Sequence, residues 1–194
     1  MNYYEDNELG QYRNAAQGLK YKFVAELVAI ACSVIMIVPL LGTVLGMYGM
    51  IACNIVSILG LYLISRDIPG CRIAFIVTII SIVFDVARII SGNLWLMSVV
   101  SNCLSFLALF YVCKSLAEDL RDHGMLENAD RAELVWKINL VCTAISIIIS
   151  VMMFIPLINL LGIALGFINS LAEIVGGVLY FIFLYKSYKF YEAY

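Results

Sequence analysis

Asp85, Arg88 and Glu173 stand inside sequence that is otherwise apolar. An ionisable side chain near the centre of a bilayer costs roughly 2.5–3.5 kcal/mol even on the lenient insertion scale, so each must be paired, neutralised or hydrated. Asp85 and Arg88 are three residues apart and share a helix face. Thr78, Ser81 and Ser91 extend that face into a polar stripe. Counting from the charged ends at about 1.5 Å per residue puts Asp85 about 20 Å deep, Glu173 about 18 Å, and Asn54 and Asn102 about 17 Å. Arg88 lies one turn further out, within snorkelling distance of the opposite interface. Asp85, Arg88, Glu173, Asn54 and Asn102 therefore form the candidate substrate-binding layer. Two carboxylates there would hold a cation or exchange a proton, and Arg88 would tune them or hold an anion. The same residues also fit a purely structural part, satisfying one another across a tight bundle. Both readings stay open at the level of sequence.

Other chemistries find little support. The six cysteines all lie in or beside apolar runs, with no Cys-x-x-Cys pair, and the single histidine, His123, stands among acidic residues. That pattern fits neither a metal centre nor a disulfide framework. His-Glu-x-x-His, Gly-x-Ser-x-Gly and phosphate-cradling loops are all absent, so the chain is expected to be non-enzymatic and to need no cofactor. A net charge of −2 gives no basic footprint for nucleic acid.

The elements that must position these residues follow from composition. The chain has 194 residues, 63% hydrophobic and 13% charged. A soluble domain is nearer 45–50% apolar with about 25% charge, which points to the lipid bilayer as solvent. Between Lys22 and Arg66 lie 43 residues whose only charge is Glu26. Between Arg72 and Lys114 lie 41, interrupted by Asp85 and Arg88, and between Lys137 and Lys186 lie 48, interrupted by Glu173. One span needs about 20 residues, so each block has the length of two. Pro39 to Gly42, Ser91 to Asn93, and Pro156 to Gly162 supply a breaker near each middle. The expected fold is an all-α integral membrane protein of six transmembrane helices in three hairpins, 23–65, 72–114 and 137–187. A cytoplasmic N-terminal segment spans 1–22, a linker 115–136 and a tail 188–194. Eleven of twelve Lys and Arg flank the blocks, which by the positive-inside rule places both termini in the cytoplasm. The expected location is a plasma or inner membrane, with no cleavable signal in the polar, acidic first 20 residues.

Short matches suggest an internal repeat of hairpins. Asn54 to Ser57 and Asn102 to Ser105 share an offset of 48, and Gly42 to Gly46 and Gly162 to Gly166 share one of 120. Small residues line two helices, Gly42 to Gly60 and Gly162 to Gly177, at spacings that allow close approach. Within the linker, Gly124 is placed to end a helix running on past Lys114, with the chain helical again near Asn128. Lys22 and Glu26 are spaced for an interfacial i,i+4 pair. Two functions fit. One is a small-solute, ion or proton transporter with a polar site at the midplane. The other is an accessory or assembly protein that docks a cytosolic partner at 115–136, or associates with itself or another membrane subunit.

Overall fold

Charged residues end the apolar runs of this chain but do not end its helices. The structure is a computed structural model that describes residues 12–35, 41–90, 95–152 and 159–193; inside those stretches the side chains of 33–34, 41–47, 50, 88–90, 95–96, 98 and 159 are not described. The described residues form six helices: α1 (Arg13–Ile35), α2 (Leu41–Asp67), α3 (Cys71–Ile90), α4 (Trp95–Asp122), α5 (Leu126–Met152) and α6 (Asn159–Ala193). The three mid-block breakers fall, wholly or in their central residues, outside the described residues.

The expectation of six spans in three hairpins is overturned. Among the described residues, three helical stretches are long and apolar enough to cross a membrane: Val99–Asp122, Leu126–Met152 and Leu160–Ala193. They belong to α4, α5 and α6. In α1 the reason is charge: Arg13, Lys20, Lys22 and Glu26 put at least three charges into every 18-residue stretch of the helix. Among the described residues of α2 and α3 no stretch of that length is found. The hairpin repeat is also not the unit of packing. Among the described residues the backbones that run together are α1 with α2 and α4 with α5, and the second pair joins two different expected hairpins.

The expected linker at 115–136 is itself helical. Only His123, Gly124 and Met125 separate α4 from α5. Gly124 takes φ 78°, the left-handed conformation that costs a side chain about 1–2 kcal/mol. Met125 N donates to Leu120 O at 2.8 Å and Gly124 N to Arg121 O at 3.1 Å, the paired bonds of a Schellman turn. Leu116, Ala117 and Leu120 on α4 are buried, as are Ala129, Ala132 and Val135 on α5. Their three-to-four-residue spacing gives the turn a small apolar seam of its own. Outside it, Arg121 donates to Glu133 at 2.7 Å and lies 3.4 Å from Asp130, while Lys137 reaches Glu133 at 3.1 Å.

The chain divides into two units, residues 1–75 with 181–194, and residues 76–180. In the first, α1 and α2 meet glycine to glycine. A Cβ on Gly60 would lie 2.7 Å from Gly18 O and 3.1 Å from Lys22 N, and one on Gly18 would collide with Gly60 O. Leu19, Leu61 and Ile64 are fully buried around this crossing. Asp67, at the end of α2, accepts from Ala15 N at 2.7 Å and from Asn14 Nδ2 at 2.9 Å. It thereby satisfies a first-turn donor of α1 and sets a carboxylate against the positive end of that helix. Lys22 donates to Glu26 at 2.8 Å and to Ser57 at 2.9 Å. Phe23 stacks on Phe181, with ring centroids 4.4 Å apart.

Candidate functional site

The second unit is where polar groups gather. α3 turns its stripe of small polar residues toward α4. Ser81 and Ser105 hydroxyls lie 3.3 Å apart, and Ser101 donates to Asp85 Oδ1 at 2.7 Å. Ser81 and Ser101 are buried, and Asp85 is half-buried. Asp85 thus meets a hydroxyl on the turn of α4 that also carries Asn102. The neighbouring residues Asn102 and Ser105 lie on the accessible part of that helix.

α5 and α6 meet through a second set of hydrogen bonds. Asn169 Nδ2 donates to Glu173 Oε1 at 2.8 Å, one turn along α6, and to Ser146 Oγ on α5 at 2.9 Å. Ser146 Oγ lies 3.3 Å from the same Glu173 oxygen. Close approach here depends on Gly176, where a Cβ would come within 3.2 Å of Ile138 and 3.3 Å of Asn139 Nδ2. Asn169 is buried, and its Oδ1 has no hydrogen-bond partner among the described residues. An unsatisfied buried carbonyl costs about 1–3 kcal/mol, so an acceptor is held ready beside the Glu173 carboxylate.

Between these helices lies a cavity of about 240 Å³, lined by Asn102, Ser105, Phe106 and Leu109 of α4, Asn139, Thr143 and Ser146 of α5, and Glu173 of α6. That is many times the roughly 15 Å³ a single water requires. Six of its eight lining residues are polar, and among the described residues Glu173 is its one ionisable group and no Lys or Arg lines it. Asn102, Ser105 and Glu173 remain accessible while Asn139, Thr143 and Ser146 are half-buried, so the cavity opens on one side.

Of the five residues singled out in the sequence, Asn102 and Glu173 face this one cavity. Asp85 is tied to Ser101, next to Asn102 in sequence. Asn54 lies in the first unit, exposed on α2. The side chain of Arg88 falls outside the described residues. Sequence reasoning overlooked Asn139, Thr143, Ser146 and Asn169. A signal for the first three was present, since they recur at i, i+4 and i+7 on one face of α5. Asn169 stands four residues before Glu173, where a helix brings side chains together. The cysteines sit in helices, five of them buried. Among the described residues no three His, Cys, Asp or Glu cluster in a way that could hold a metal ion.

No protein-family model, no curated protein and no solved structure matches this chain.

Proposed function

We propose that the cavity of the second unit is a membrane-embedded site for a small cation or a proton, and that the protein moves such a solute and is not an enzyme. The observation that carries this reading is a single carboxylate set among neutral hydrogen-bonding side chains, with no basic residue lining the space among those described. A cation entering an apolar span must replace its hydration shell. Oxygens of Asn102, Ser105, Asn139 and Thr143 can supply that shell, and Glu173 supplies the countercharge. Asn169 and Ser146 both donate to Oε1 and fix the carboxylate rotamer, which leaves Oε2 for the solute or the proton. Asp85 acts one layer away, through Ser101, on how α4 presents Asn102.

The orientation we propose puts the α4–α5 turn and the end of α6 in the cytosol of a plasma or inner membrane. Lys114, Arg121, Arg131 and Lys137 flank the turn, and Lys186 and Lys189 stand at the end of α6. Arg13, Lys20 and Lys22 assign the N-terminus to the same side.

The test is flux. Purified protein in liposomes, under an imposed pH or monovalent-cation gradient, should dissipate the gradient faster than empty liposomes. Glu173→Gln should abolish that activity, and Asp85→Asn should reduce it. Flux no greater than in empty liposomes, or flux untouched by Glu173→Gln, would defeat the reading. A second reading, a docking protein, draws on the groove of about 380 Å³ beside the α4–α5 turn, where Phe110 and Trp136 lie among Lys114, Arg121, Glu133 and Lys137. Under that reading Trp136→Ala would strip a bound partner while Glu173→Gln would change nothing.

A further inference from the structure

The first unit holds a cavity of opposite character. On α1, Arg13, Ala16, Gln17 and Lys20 share one face, and at the end of α6 Tyr188, Tyr191 and Glu192 share another. Together they line a space of about 400 Å³. Its carboxylates are already engaged. Glu192 accepts from the Tyr188 hydroxyl at 2.6 Å and from Lys189 Nζ at 2.7 Å, and the nearby Asp67 accepts from Ala15 N and Asn14. Lys20 adds a longer-range attraction to Glu192. Arg13 and Lys20 are both exposed, and neither makes an ion pair among the described residues. Lys20 Nζ stands 6.0 Å from the Tyr188 ring centroid. Tyr191 is buried against Tyr12, with ring centroids 5.3 Å apart.

We propose that this cavity binds a phosphate-bearing anion. Arg13 and Lys20 stand two helical turns apart, about 10 Å along the axis, and both side chains are long enough to converge over the small Ala16. A guanidinium presents parallel N–H donors that match two phosphate oxygens, and an ammonium adds a compact charge with freely rotating donors. Gln17, whose Nε2 donates to the Tyr21 hydroxyl at 2.9 Å, also lines the space and keeps its amide oxygen beside it. Two sources of the anion share this chemistry: the headgroup of an acidic phospholipid, and a soluble phosphate compound. The site lies at the end of the apolar stretch Leu160–Ala193, where a headgroup would be at hand.

The experiment uses the full chain in mild detergent. Native mass spectrometry would count retained phosphatidylglycerol against phosphatidylcholine at equal mole fraction. In parallel, thermal unfolding would be followed with added inorganic phosphate or glycerol phosphate, at constant ionic strength. The double variant Arg13→Gln/Lys20→Gln serves as the test and Lys114→Gln/Lys137→Gln as the control. Both alter exposed side chains, and unfolding midpoints without ligand check that the fold survives. A preference for the anionic lipid that falls at least about fivefold in the test variant, and holds in the control, supports the site with a lipid as its source. Stabilisation by soluble phosphate, lost in the test variant with no lipid preference, supports it with a soluble source. No preference of either kind, a preference that survives the test variant, or an equal loss in the control overturns it.

Discussion

The first unit brings α1 against α2 through two glycines, whereas the second brings α4, α5 and α6 together around hydroxyls, amides and one carboxylate. In the first, any atom added at the crossing meets backbone. In the second, Gly166 and Gly177 on α6 have nothing within 4 Å where a Cβ would stand. Small residues therefore serve different ends in the two units. Around Gly18 and Gly60 they remove space. Along α6, Gly176 seats a helix closely, and the polar residues beside it hold space open. Dispersion contacts reward the first arrangement for having no room. The second keeps its room because the polar walls bond to one another and do not collapse.

Gly60→Ala breaks this contrast most severely. It must push the α1 backbone away, at a cost of about 2 kcal/mol. Gly166→Ala meets no neighbour and should gain up to about 1 kcal/mol from helix propensity. Denaturant unfolding in detergent, run on both variants, reads the difference directly, and equal effects would erase the distinction between the units. Next in size is Asp67→Ala, which removes the cap on α1 and should cost about 1–2 kcal/mol. Gly124→Ala comes third. Its site is spatially empty, so the penalty of about 1 kcal/mol is that of left-handed backbone alone, visible as a lower unfolding midpoint. The smallest stability effect belongs to Glu173→Gln. The amide is isosteric and keeps the oxygen that Asn169 and Ser146 address, so unfolding should move by less than about 0.5 kcal/mol. Flux should nonetheless be lost, because the countercharge is gone.

Much of the helical plan was legible in the sequence. Pro39, Ser91 and Pro156 lie outside the described residues, and Gly124 marked a real turn. Charges misled in two ways. At the two ends of the chain they read as helix ends, yet Lys, Glu, Arg and Ala are good helix formers, so α1 begins at Arg13 and α6 runs on to Ala193. Blocks of 41–48 residues also read as paired spans, although Lys20, Lys22 and Glu26 put three charges into the last 18 residues of α1. The site was half visible. Depth counting placed Asn102 and Glu173 at one level, since α4 and α6 are regular helices that carry residues at a fixed rise. It also placed Asn54 there, but depth along a helix says nothing about which unit the helix belongs to. Asn139, Thr143 and Ser146 were passed over because neutral polar residues carry no charge to draw attention. Their shared helical face was the available clue.

Substituted-cysteine labelling tests the central claim, a hydrated polar cavity among apolar spans, most directly. With the six native cysteines replaced, single cysteines would be placed on α5 at Asn139, Thr143 and Ser146, and on its exposed apolar face at Ile148 and Val151. A small, positively charged, water-soluble thiol reagent would then be applied to the protein in vesicles. The account predicts rapid modification at the first three positions and protection by lipid at the last two. Equal reactivity on both faces, or none on the cavity face, would contradict it.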